Sequence, residues 1–225
     1  MDLHVARENM SLKQQVIDRL RGAIVDGMFT AGQKLIEKDL CVLLGVSRPL
    51  LREALQRLDA EGLITNVPHK GPVVTSLSWQ DASEIYEVRK ALEALAAEGF
   101  ALHASEAKML DLRESLTQLK RQAAQPTQGL LQAKNRFYEI LLEGCANKVI
   151  ANVLTQLNNR ITLLRRLSLS EPGRIEQTLA ECEDIVRALE QRNAPLAKQL
   201  CHQHVATAAQ IAMKRFQAQN GPLHS

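Results

Sequence analysis

Residues 45–58 constrain the possible fold and function of this chain more than any other segment. Large apolar residues recur there at helical spacing, at Leu51, Leu55 and Leu58. This spacing predicts a short helix with one buried face, and Arg48 and Arg52 lie one turn apart on another face. Such a helix fits the major groove of DNA, where arginine bonds guanine edges or phosphates. The alternative is an amphipathic helix whose charges are only solvated, and the flanking residues favour the first interpretation.

The charge of the chain limits how it could bind a nucleic acid. The formal net charge is only +3, which does not indicate an extensive nucleic-acid-binding surface. Residues 47–57, in contrast, contain three arginines and one glutamate. A local patch of this kind is sufficient for a dimer that reads two half-sites.

Length and composition predict a helical protein of the cytoplasm. The 225 residues are enough for one large domain or two small ones, and the aromatic share of 3% favours helices over sheets. No run approaches the roughly 18 apolar residues of a membrane span, and residues 1–11 lack the apolar segment of a secretory signal. The cysteines show no C-x-x-C spacing, so we expect small buried hydrophobes rather than disulfides or a zinc site. They are Cys41, Cys145, Cys182 and Cys201.

The residues on either side of this stretch predict two preceding helices and a following hairpin. Ser11 begins a first helix that Gly27 ends, and residues 36–44 form a second helix, followed by a turn at Gly45. Two helices joined by a short glycine-containing turn are the signature of a helix-turn-helix. The inward side chains of the second helix are expected to be Leu40, Leu43 and Leu44.

Two short runs rich in β-branched residues, 63–67 and 73–75, predict the strands of the hairpin. The turn between them, residues 68–72, carries one positive charge at Lys70. A hairpin in this position is a wing, whose tip contacts the sugar-phosphate backbone or the minor groove. The alternative is an element that only closes the core.

These motifs resemble the winged helix of GntR-type bacterial transcription regulators. The resemblance rests on GMFTAGQKL at 27–35, E-x-x-L at 37–40, GVSR at 45–48, REAL at 52–55 and EGLI at 61–64, and it covers about residues 10–76. By this resemblance, the residues that contact DNA are Lys38, Ser47, Arg48, Arg52, His69, Lys70 and Gly71. The family commonly has Ser-Arg-Thr-Pro-Val-Arg where this chain has Ser47-Arg48-Pro49-Leu50-Leu51-Arg52. A phosphate-contacting hydroxyl is therefore lost at Pro49, although proline is tolerated in a first helical turn.

The C-terminal part, after a short linker at 72–78, predicts helices without strand-like alternation. The fold class is therefore mainly α, with an N-terminal winged helix-turn-helix in residues 1–76 and an antiparallel helical bundle in residues 77–225. The first bundle helix begins in capping-box style at Ser78, runs to about His103, and carries an apolar stripe. The members of that stripe are Ile85, Val88, Leu92, Leu95 and Ala96. A break is expected at residues 126–129, and a frayed tail at residues 220–225.

The bundle resembles the ligand-binding domain of the FadR-type subgroup of GntR regulators. The resemblance rests on EVR-x-x-x-E at 87–93, RFY at 136–138 with CAN at 145–147, and AL at 188–189 leading through Ala197 to His204. Many members of the subgroup hold a divalent metal with one Asp and three His, and that metal grips a carboxylate effector. The matching positions here are Asn135, Tyr138, Cys182 and His204, of which only His204 is a usual ligand type. Amide and phenol groups are poor anchors for a divalent ion, so we expect no metal, and Cys182 with His204 would hold zinc only with further ligands.

A polar set inside the bundle is expected to bind an effector instead. Arg89 lies next to the apolar stripe, and a buried arginine needs an anionic partner. That partner is either Glu93, one turn along, or an organic acid bound in bidentate fashion. The expected effector-binding residues are Arg89, Asn135, Tyr138, Cys182 and His204, with Arg165 and Arg166 as secondary candidates. His204 is equally consistent with a hydrogen-bonded core histidine.

Three classes of function remain to be compared. The resemblance implies a homodimeric, ligand-responsive regulator, usually a repressor, that binds a palindromic operator and releases it with a small organic acid. The second class is a dimeric architectural DNA-binding module whose helical domain binds no effector. The third is an enzyme with Cys182 as nucleophile and His204 as base, which the lack of an oxyanion hole or glycine-rich phosphate loop makes the least favoured.

Overall fold

The computed structural model describes residues 11–124 and 129–220, with side chains up to residue 218. The chain divides into two compact units, Met1–Ser76 and Leu77–Ser225. The architecture is mainly helical, with a two-stranded hairpin after the N-terminal helices and a helical C-terminal part, so the expected fold class is confirmed. The expected break at 126–128 and the tail at 221–225 lie outside the described residues. In the described part of the chain, no helix is long and apolar enough to cross a membrane.

The first unit contains three helices and the hairpin. Its elements are α1 (Leu12–Val25), α2 (Glu37–Leu44), α3 (Arg48–Ala60), β1 (Ile64–Val67) and β2 (Gly71–Val74). Gly45 ends α2 with φ at 65°, a left-handed conformation that glycine adopts without steric cost. Leu51, Leu55 and Leu58 are buried, as their spacing predicts, and pack α3 into the core of the unit.

The inward face of α2 differs from the expected one. Leu40 is the buried residue of this helix, whereas Leu43 is 69% exposed and the neighbouring Val42 is 80% exposed. Leu43 stands one turn from Leu40 in this helix of eight residues, but the rest of the described chain does not cover its side chain. The prediction that Leu43 points inward was therefore wrong.

The second strand of the hairpin, β2, forms backbone hydrogen bonds along both of its edges. β1 and β2 pair antiparallel with Ile64 opposite Val74, and Val74 also exchanges backbone hydrogen bonds with the segment that precedes α2. In that segment, Gly32 donates to the carbonyl of Val74 and Gln33 accepts from its N–H, both at 2.9 Å. At the tip, Lys70 N–H donates to Val67 across a turn with Pro68 second and His69, at φ 62°, third, which is the pattern of a type II turn.

The second unit is a bundle of helices. They are α4 (Trp79–His103), α5 (Glu106–Ala123), α6 (Gly129–Gly144), α7 (Lys148–Leu169), α8 (Arg174–Glu190) and α9 (Ala194–Asn220). The expected capping box at the start of α4 is present, since the Ser78 hydroxyl accepts from Asp81 N–H and the Asp81 carboxylate accepts from Ser78 N–H. Asn147 caps α7 through its side chain, which accepts from the N–H groups of Val149 and Ile150.

The buried face of α4 is wider than the expected stripe and partly different from it. α4 packs along α9 and also contacts α6, α7 and α8, so several of its sides are covered. Small residues, among them Ala82, Ala96 and Ala97, allow this close packing and are fully buried. Val88 and Leu95, which were predicted to point inward, are 38% and 39% exposed. The buried face contains Arg89 and Glu93 instead.

Candidate functional site

The N-terminal end of α3 is exposed and carries the first candidate DNA contacts. Ser47 occupies the N-cap position, and its carbonyl accepts from Leu51 N–H at 3.1 Å. Its hydroxyl makes no capping bond. Pro49 stands within the first turn, where its missing N–H is tolerated. The exposed start of α3 is thus available to a phosphate, which helix N-termini favour.

Arg52 is bound to the preceding helix rather than free. Its Nε lies 3.1 Å and 3.0 Å from the two carboxylate oxygens of Glu37, at the start of α2. The Arg52 side chain is still 64% exposed. The ion pair therefore joins α2 to α3 and neutralises part of the charge that this face offers to DNA.

The remaining basic candidates differ from Arg52 in their surroundings. Lys38, Arg48 and Lys70 are exposed, and none of them forms an ion pair with another residue that the structure describes. His69 and Lys70 occupy the exposed tip of the hairpin, and Gly71 begins β2 with φ at 83°. This unit therefore carries two exposed basic elements, the start of α3 and the tip of the hairpin.

A cluster of charged and polar side chains lies inside the second unit. Four of its members are cationic groups with at most 4% of their surface exposed: Arg89, Lys134, Arg165 and Arg174. Two carboxylates accompany them, from the buried Glu93 and the partly exposed Glu181. We call this set the cationic cluster, and its members come from α4, α6, α7 and α8. Ions this deeply buried require close partners.

Arg89 and Glu93 form an ion pair within α4. Arg89 Nε donates to Glu93 Oε1 at 2.7 Å, so the first of the two expected partners is present. The guanidinium also lies 4.9 Å from the centroid of the Tyr86 ring. Burial lowers the pKa of Arg89, but the Glu93 carboxylate outweighs it and raises the pKa above its usual value. The pairing is incomplete, because Arg89 Nη1 and Glu93 Oε2 are buried with no hydrogen-bond partner.

Asn135 and Tyr138, two expected effector-binding residues, both contact Arg165. Arg165 Nη1 donates to Asn135 Oδ1 at 2.7 Å, and its guanidinium carbon lies 4.2 Å from the Tyr138 ring centroid. The Tyr138 hydroxyl and Arg165 Nε are buried without hydrogen-bond partners. Burial raises the pKa of Tyr138 well above its usual value, so the phenol remains a neutral donor.

His204 lies in a chain of polar contacts that crosses three helices. Both terminal nitrogens of Arg174 donate to the Glu181 carboxylate, at 2.9 Å and 2.8 Å. The same carboxylate bonds Nδ1 of His204, and Nε2 of that ring lies 3.1 Å from Nζ of Lys134. Burial, followed by the adjacent Lys134, lowers the pKa of His204 to about 3. The imidazole is therefore neutral, with Nε2 accepting from the lysine and Nδ1 donating to Glu181.

Burial also shifts the pKa values of the charged groups beside His204. It lowers the pKa of Lys134 to about 8, and Arg165 and Arg174 act in the same direction. Burial raises the pKa of Glu181, but the bonds from His204 and Arg174 outweigh it and bring the value to about 2. Glu181 is thus ionised at neutral pH, and Lys134 is mostly protonated.

The donor set does not fit a divalent metal ion. Within the described ranges, no group of three or more His, Cys, Asp or Glu side chains is placed to hold one. Both nitrogens of His204 are engaged, and the group opposite Nε2 is a lysine ammonium, which would repel a metal cation. Burial raises the pKa of the Cys182 thiol, which disfavours the thiolate as a ligand or nucleophile.

Sequence reasoning predicted some members of the cationic cluster and missed others. Asn135 and Tyr138 both contact Arg165, and the ring centroids of Tyr138 and His204 lie 6.5 Å apart. Arg89 is paired with Glu93, and burial, followed by the charge of Arg89, lowers the pKa of Arg165. Cys182 is fully buried, and its charge state is coupled to Lys134. Of the two secondary candidates, Arg165 belongs to the cluster and Arg166 is exposed. The members that sequence reasoning missed are Lys134, Arg174 and Glu181.

Two protein families match the chain, one in each of its two units. Residues 12–74 match the family described as bacterial regulatory proteins, gntR family, and residues 84–207 match the FCD domain. Members of the first family bind DNA and typically dimerise, and FCD domains bind small-molecule effectors.

Similar proteins span nearly the whole chain. The HTH-type transcriptional regulator YdhC of Bacillus subtilis (strain 168) is 30% identical over 82% of this chain and 84% of its own length. The HTH-type transcriptional repressor RspR of Escherichia coli (strain K12) is 26% identical over 86% of each chain. A crystal structure of a GntR transcriptional regulator from Rhodococcus sp. RHA1 superposes with a TM-score of 0.76 at 25% identity, covering 90% of this chain and 97% of that one.

Proposed function

We propose, because the chain belongs to the GntR family of bacterial regulatory proteins and carries an FCD domain, that it is a transcriptional repressor released from its operator by a small organic acid. It acts as a homodimer on a palindromic DNA site. The family and the similar proteins are transcriptional regulators rather than enzymes. The observation that carries the effector part of the proposal is the cationic cluster, whose buried donors lack protein partners.

The DNA contacts that we propose are those on the two exposed basic elements of the first unit. Arg48, at the start of α3, enters the major groove together with Ser47 and Arg52. The tip of the hairpin, formed by His69, Lys70 and Gly71, contacts the adjacent backbone or minor groove. Lys38 contributes a phosphate contact. The exposure of the side chains of this set, all but the glycine, supports this assignment.

The organic acid binds to the cationic cluster inside the second unit. Arg89 Nη1, Arg165 Nε and the Tyr138 hydroxyl are buried donors without partners, and a carboxylate supplies the acceptor that each of them lacks. Asn135 and His204 orient Arg165 and Lys134 through the hydrogen bonds described above. Binding releases DNA only if the acid has different affinities for two arrangements of the dimer.

The outer face of α4 supports the assignment of a homodimer. Val88, Leu95 and Leu102 follow one another at seven-residue intervals, which places them on nearly the same side of the helix. They are 38%, 39% and 61% exposed in the single chain. A stripe of this kind is self-complementary around a two-fold axis, which makes a second copy of the chain its proposed partner.

The test is selection of bound sequences from random double-stranded DNA by the full-length protein. We expect an inverted repeat, bound by the wild type and not by Arg48→Ala, and we expect a carboxylic acid to weaken that binding at least tenfold. If no sequence is enriched, or if Arg48→Ala binds as the wild type does, the proposed DNA contacts are wrong. If DNA is bound but no acid changes the affinity or the melting temperature, the chain acts instead as an architectural module without an effector.

A further inference from the structure

We propose that the FCD domain of this chain binds a small dicarboxylate directly on Lys134 and the buried arginines, without a bridging divalent metal. The inference rests on the proposed effector function and deepens it by assigning the charge of the ligand and the cation that holds it. It is carried by three observations: the balance of buried charge, the unpartnered donors, and the position of the lysine ammonium.

The first observation is an imbalance of buried charge. Four cationic side chains, from Arg89, Lys134, Arg165 and Arg174, accompany two carboxylates, and His204 is neutral. Two positive charges therefore have no counter-charge among the described residues of the cluster. Uncompensated charge inside a protein is strongly unfavourable, and a bound dianion removes the imbalance, whereas a monoanion leaves half of it.

The second observation is the set of donors left without acceptors. Arg89 Nη1, Arg165 Nε and the Tyr138 hydroxyl are all buried and unbonded. The two guanidinium groups rest on different rings, Arg89 on Tyr86 at 4.9 Å and Arg165 on Tyr138 at 4.2 Å. Two separately held guanidinium groups provide two places where a carboxylate can be bound, which matches a diacid better than a monoacid.

The third observation is the position of the Lys134 ammonium. Its Nζ lies 3.1 Å from Nε2 of His204 and 5.9 Å from the centroid of the Tyr138 ring. No acidic side chain in the described part of the chain pairs with it. The ammonium is thus a positive charge with spare hydrogen bonds, and the hydroxyl of the tyrosine that its charge faces is itself unpartnered. It supplies the charge that a metal ion would otherwise have to provide.

The experiment measures ligand binding by calorimetry and thermal shift on the full-length protein in EDTA, without DNA. The probes are oxalate, malonate, succinate and glutarate, each compared with its monomethyl ester. We expect at least one diacid to bind and to raise the melting temperature, and its monoester to bind at least tenfold more weakly. Addition of Zn²⁺ or Mn²⁺ in place of EDTA leaves the affinity within twofold.

Two lysine variants sharpen the test. Lys134→Met removes the buried ammonium and is expected to weaken diacid binding at least tenfold, while Lys134→Arg retains a cation and recovers part of it. Lys108→Met is the matched control, because Lys108 pairs with Glu143 at the surface, and it should bind as the wild type does. Melting curves of the unliganded variants establish that each is folded.

Several outcomes would overturn the inference. They are diacid binding that requires added metal, a monoester that binds as tightly as its diacid, unchanged binding by Lys134→Met, or no binding by any of the four diacids. The proposed function fails separately. A diacid that binds in EDTA but leaves operator affinity unchanged contradicts the repressor proposal alone, and a metal-dependent monoacid that releases DNA contradicts this inference alone.

Discussion

Nζ of Lys134 lies 3.1 Å from Nε2 of His204, on the opposite side of the imidazole from the Glu181 carboxylate. The neutral ring therefore accepts a hydrogen bond from a cation and donates one to an anion. Arg174 holds the far side of Glu181 through two hydrogen bonds. The resulting chain of contacts connects α6, α9 and α8, and it positions a cation in the interior of the bundle without pairing it to a carboxylate.

This arrangement predicts that the stability of the protein rises with pH in the alkaline range. The effect is measured as the difference in unfolding free energy between Lys134→Met and the wild type. The pKa of Lys134 falls from 10.5 to about 8 on folding, because of burial and then because of neighbours that include Arg165 on α7, Arg174 on α8 and Arg89 on α4. Between pH 8 and pH 10.5 the unfolded chain therefore binds more protons than the folded chain, so stability rises with pH. The buried lysine destabilises the fold fully below pH 8, and this effect disappears as the pH rises to 10.5. The shift corresponds to at most about 3 kcal/mol.

Urea denaturation of both proteins from pH 7 to pH 10 measures this difference. We expect the free energy of unfolding of Lys134→Met, relative to wild type, to be highest at pH 7 and to decline toward pH 10. The comparison cancels the contribution of Tyr138, whose pKa burial raises in both proteins. A difference in unfolding free energy that stays constant from pH 7 to pH 10 would mean that folding does not lower the pKa of Lys134.

The cluster also shows which parts of a site a sequence can reveal. The pairing of Arg89 with Glu93 is predictable because the two residues stand four positions apart on one helix, where such pairs face each other. Lys134 and His204 are joined only by the packing of α6 and α9, and no local periodicity reports a contact between residues 70 positions apart. Lysine is also rarely buried, so the residue type of Lys134 predicts a position on the surface.

The boundaries of the elements were more predictable than their faces. Ser78 and Gly45 are capping residues, and each marks a helix end where it was expected, because capping depends on local chemistry. Leu43 and Leu95 were predicted to point inward and are exposed, because the burial of a helical residue depends on which other elements cover it. Alanines fill the tight contacts of α4, and a search for large apolar residues does not find them.

Replacement of Arg48 by alanine tests the first exposed DNA contact. Arg48 begins α3 and has no ion-pair partner among the described residues, so its whole charge is available to DNA. We expect the affinity for the selected operator to fall, by about 1–3 kcal/mol if the arginine reads a base. Fluorescence anisotropy at several KCl concentrations measures both affinity and salt slope. A phosphate contact would instead reduce the slope by about one and weaken all DNA sequences equally.

Replacement of Glu37 by glutamine tests whether the ion pair with Arg52 restrains DNA binding. Both oxygens of the Glu37 carboxylate accept from the single Nε–H of Arg52, and loss of the carboxylate leaves the full arginine charge for the DNA. We expect tighter binding and a salt dependence steeper by about one unit of slope. Glu53→Gln is the control, since it removes the same charge from α3 but releases Lys13 instead. Equal effects of the two variants would show that only net charge matters.

Replacement of Leu95 by glutamate tests the outer face of α4 as the dimer contact. Leu95 is the middle member of the stripe with Val88 and Leu102, and it is 39% exposed in the single chain. A carboxylate placed opposite its symmetry mate would bury two like charges, so we expect the dimer to dissociate at micromolar concentration. Sedimentation velocity measures the assembly state. Leu110→Glu, at a leucine of α5 that is 54% exposed, is the control and should leave the dimer intact. Dissociation by both or by neither variant would exclude the α4 stripe as the specific contact.

Replacement of Gly99 by alanine tests how closely α4 approaches the end of α6. A Cβ atom at Gly99 would lie 2.3 Å from the carbonyl oxygen of Cys145, which is backbone and cannot move aside without a shift of the chain. We expect the second unit to lose at least about 2 kcal/mol of stability, as overpacked cores do. Urea denaturation followed by the fluorescence of Trp79, the chain's single tryptophan, reports the second unit.

The matched control for Gly99 is Gly22, which lies inside α1. A Cβ atom at Gly22 would meet nothing within 4 Å, and alanine favours a helix over glycine by about 0.5–1 kcal/mol. Gly99→Ala should therefore lower the midpoint of the Trp79 transition, and Gly22→Ala should leave it in place. An unchanged midpoint for Gly99→Ala would mean that α4 has room to move away from Cys145.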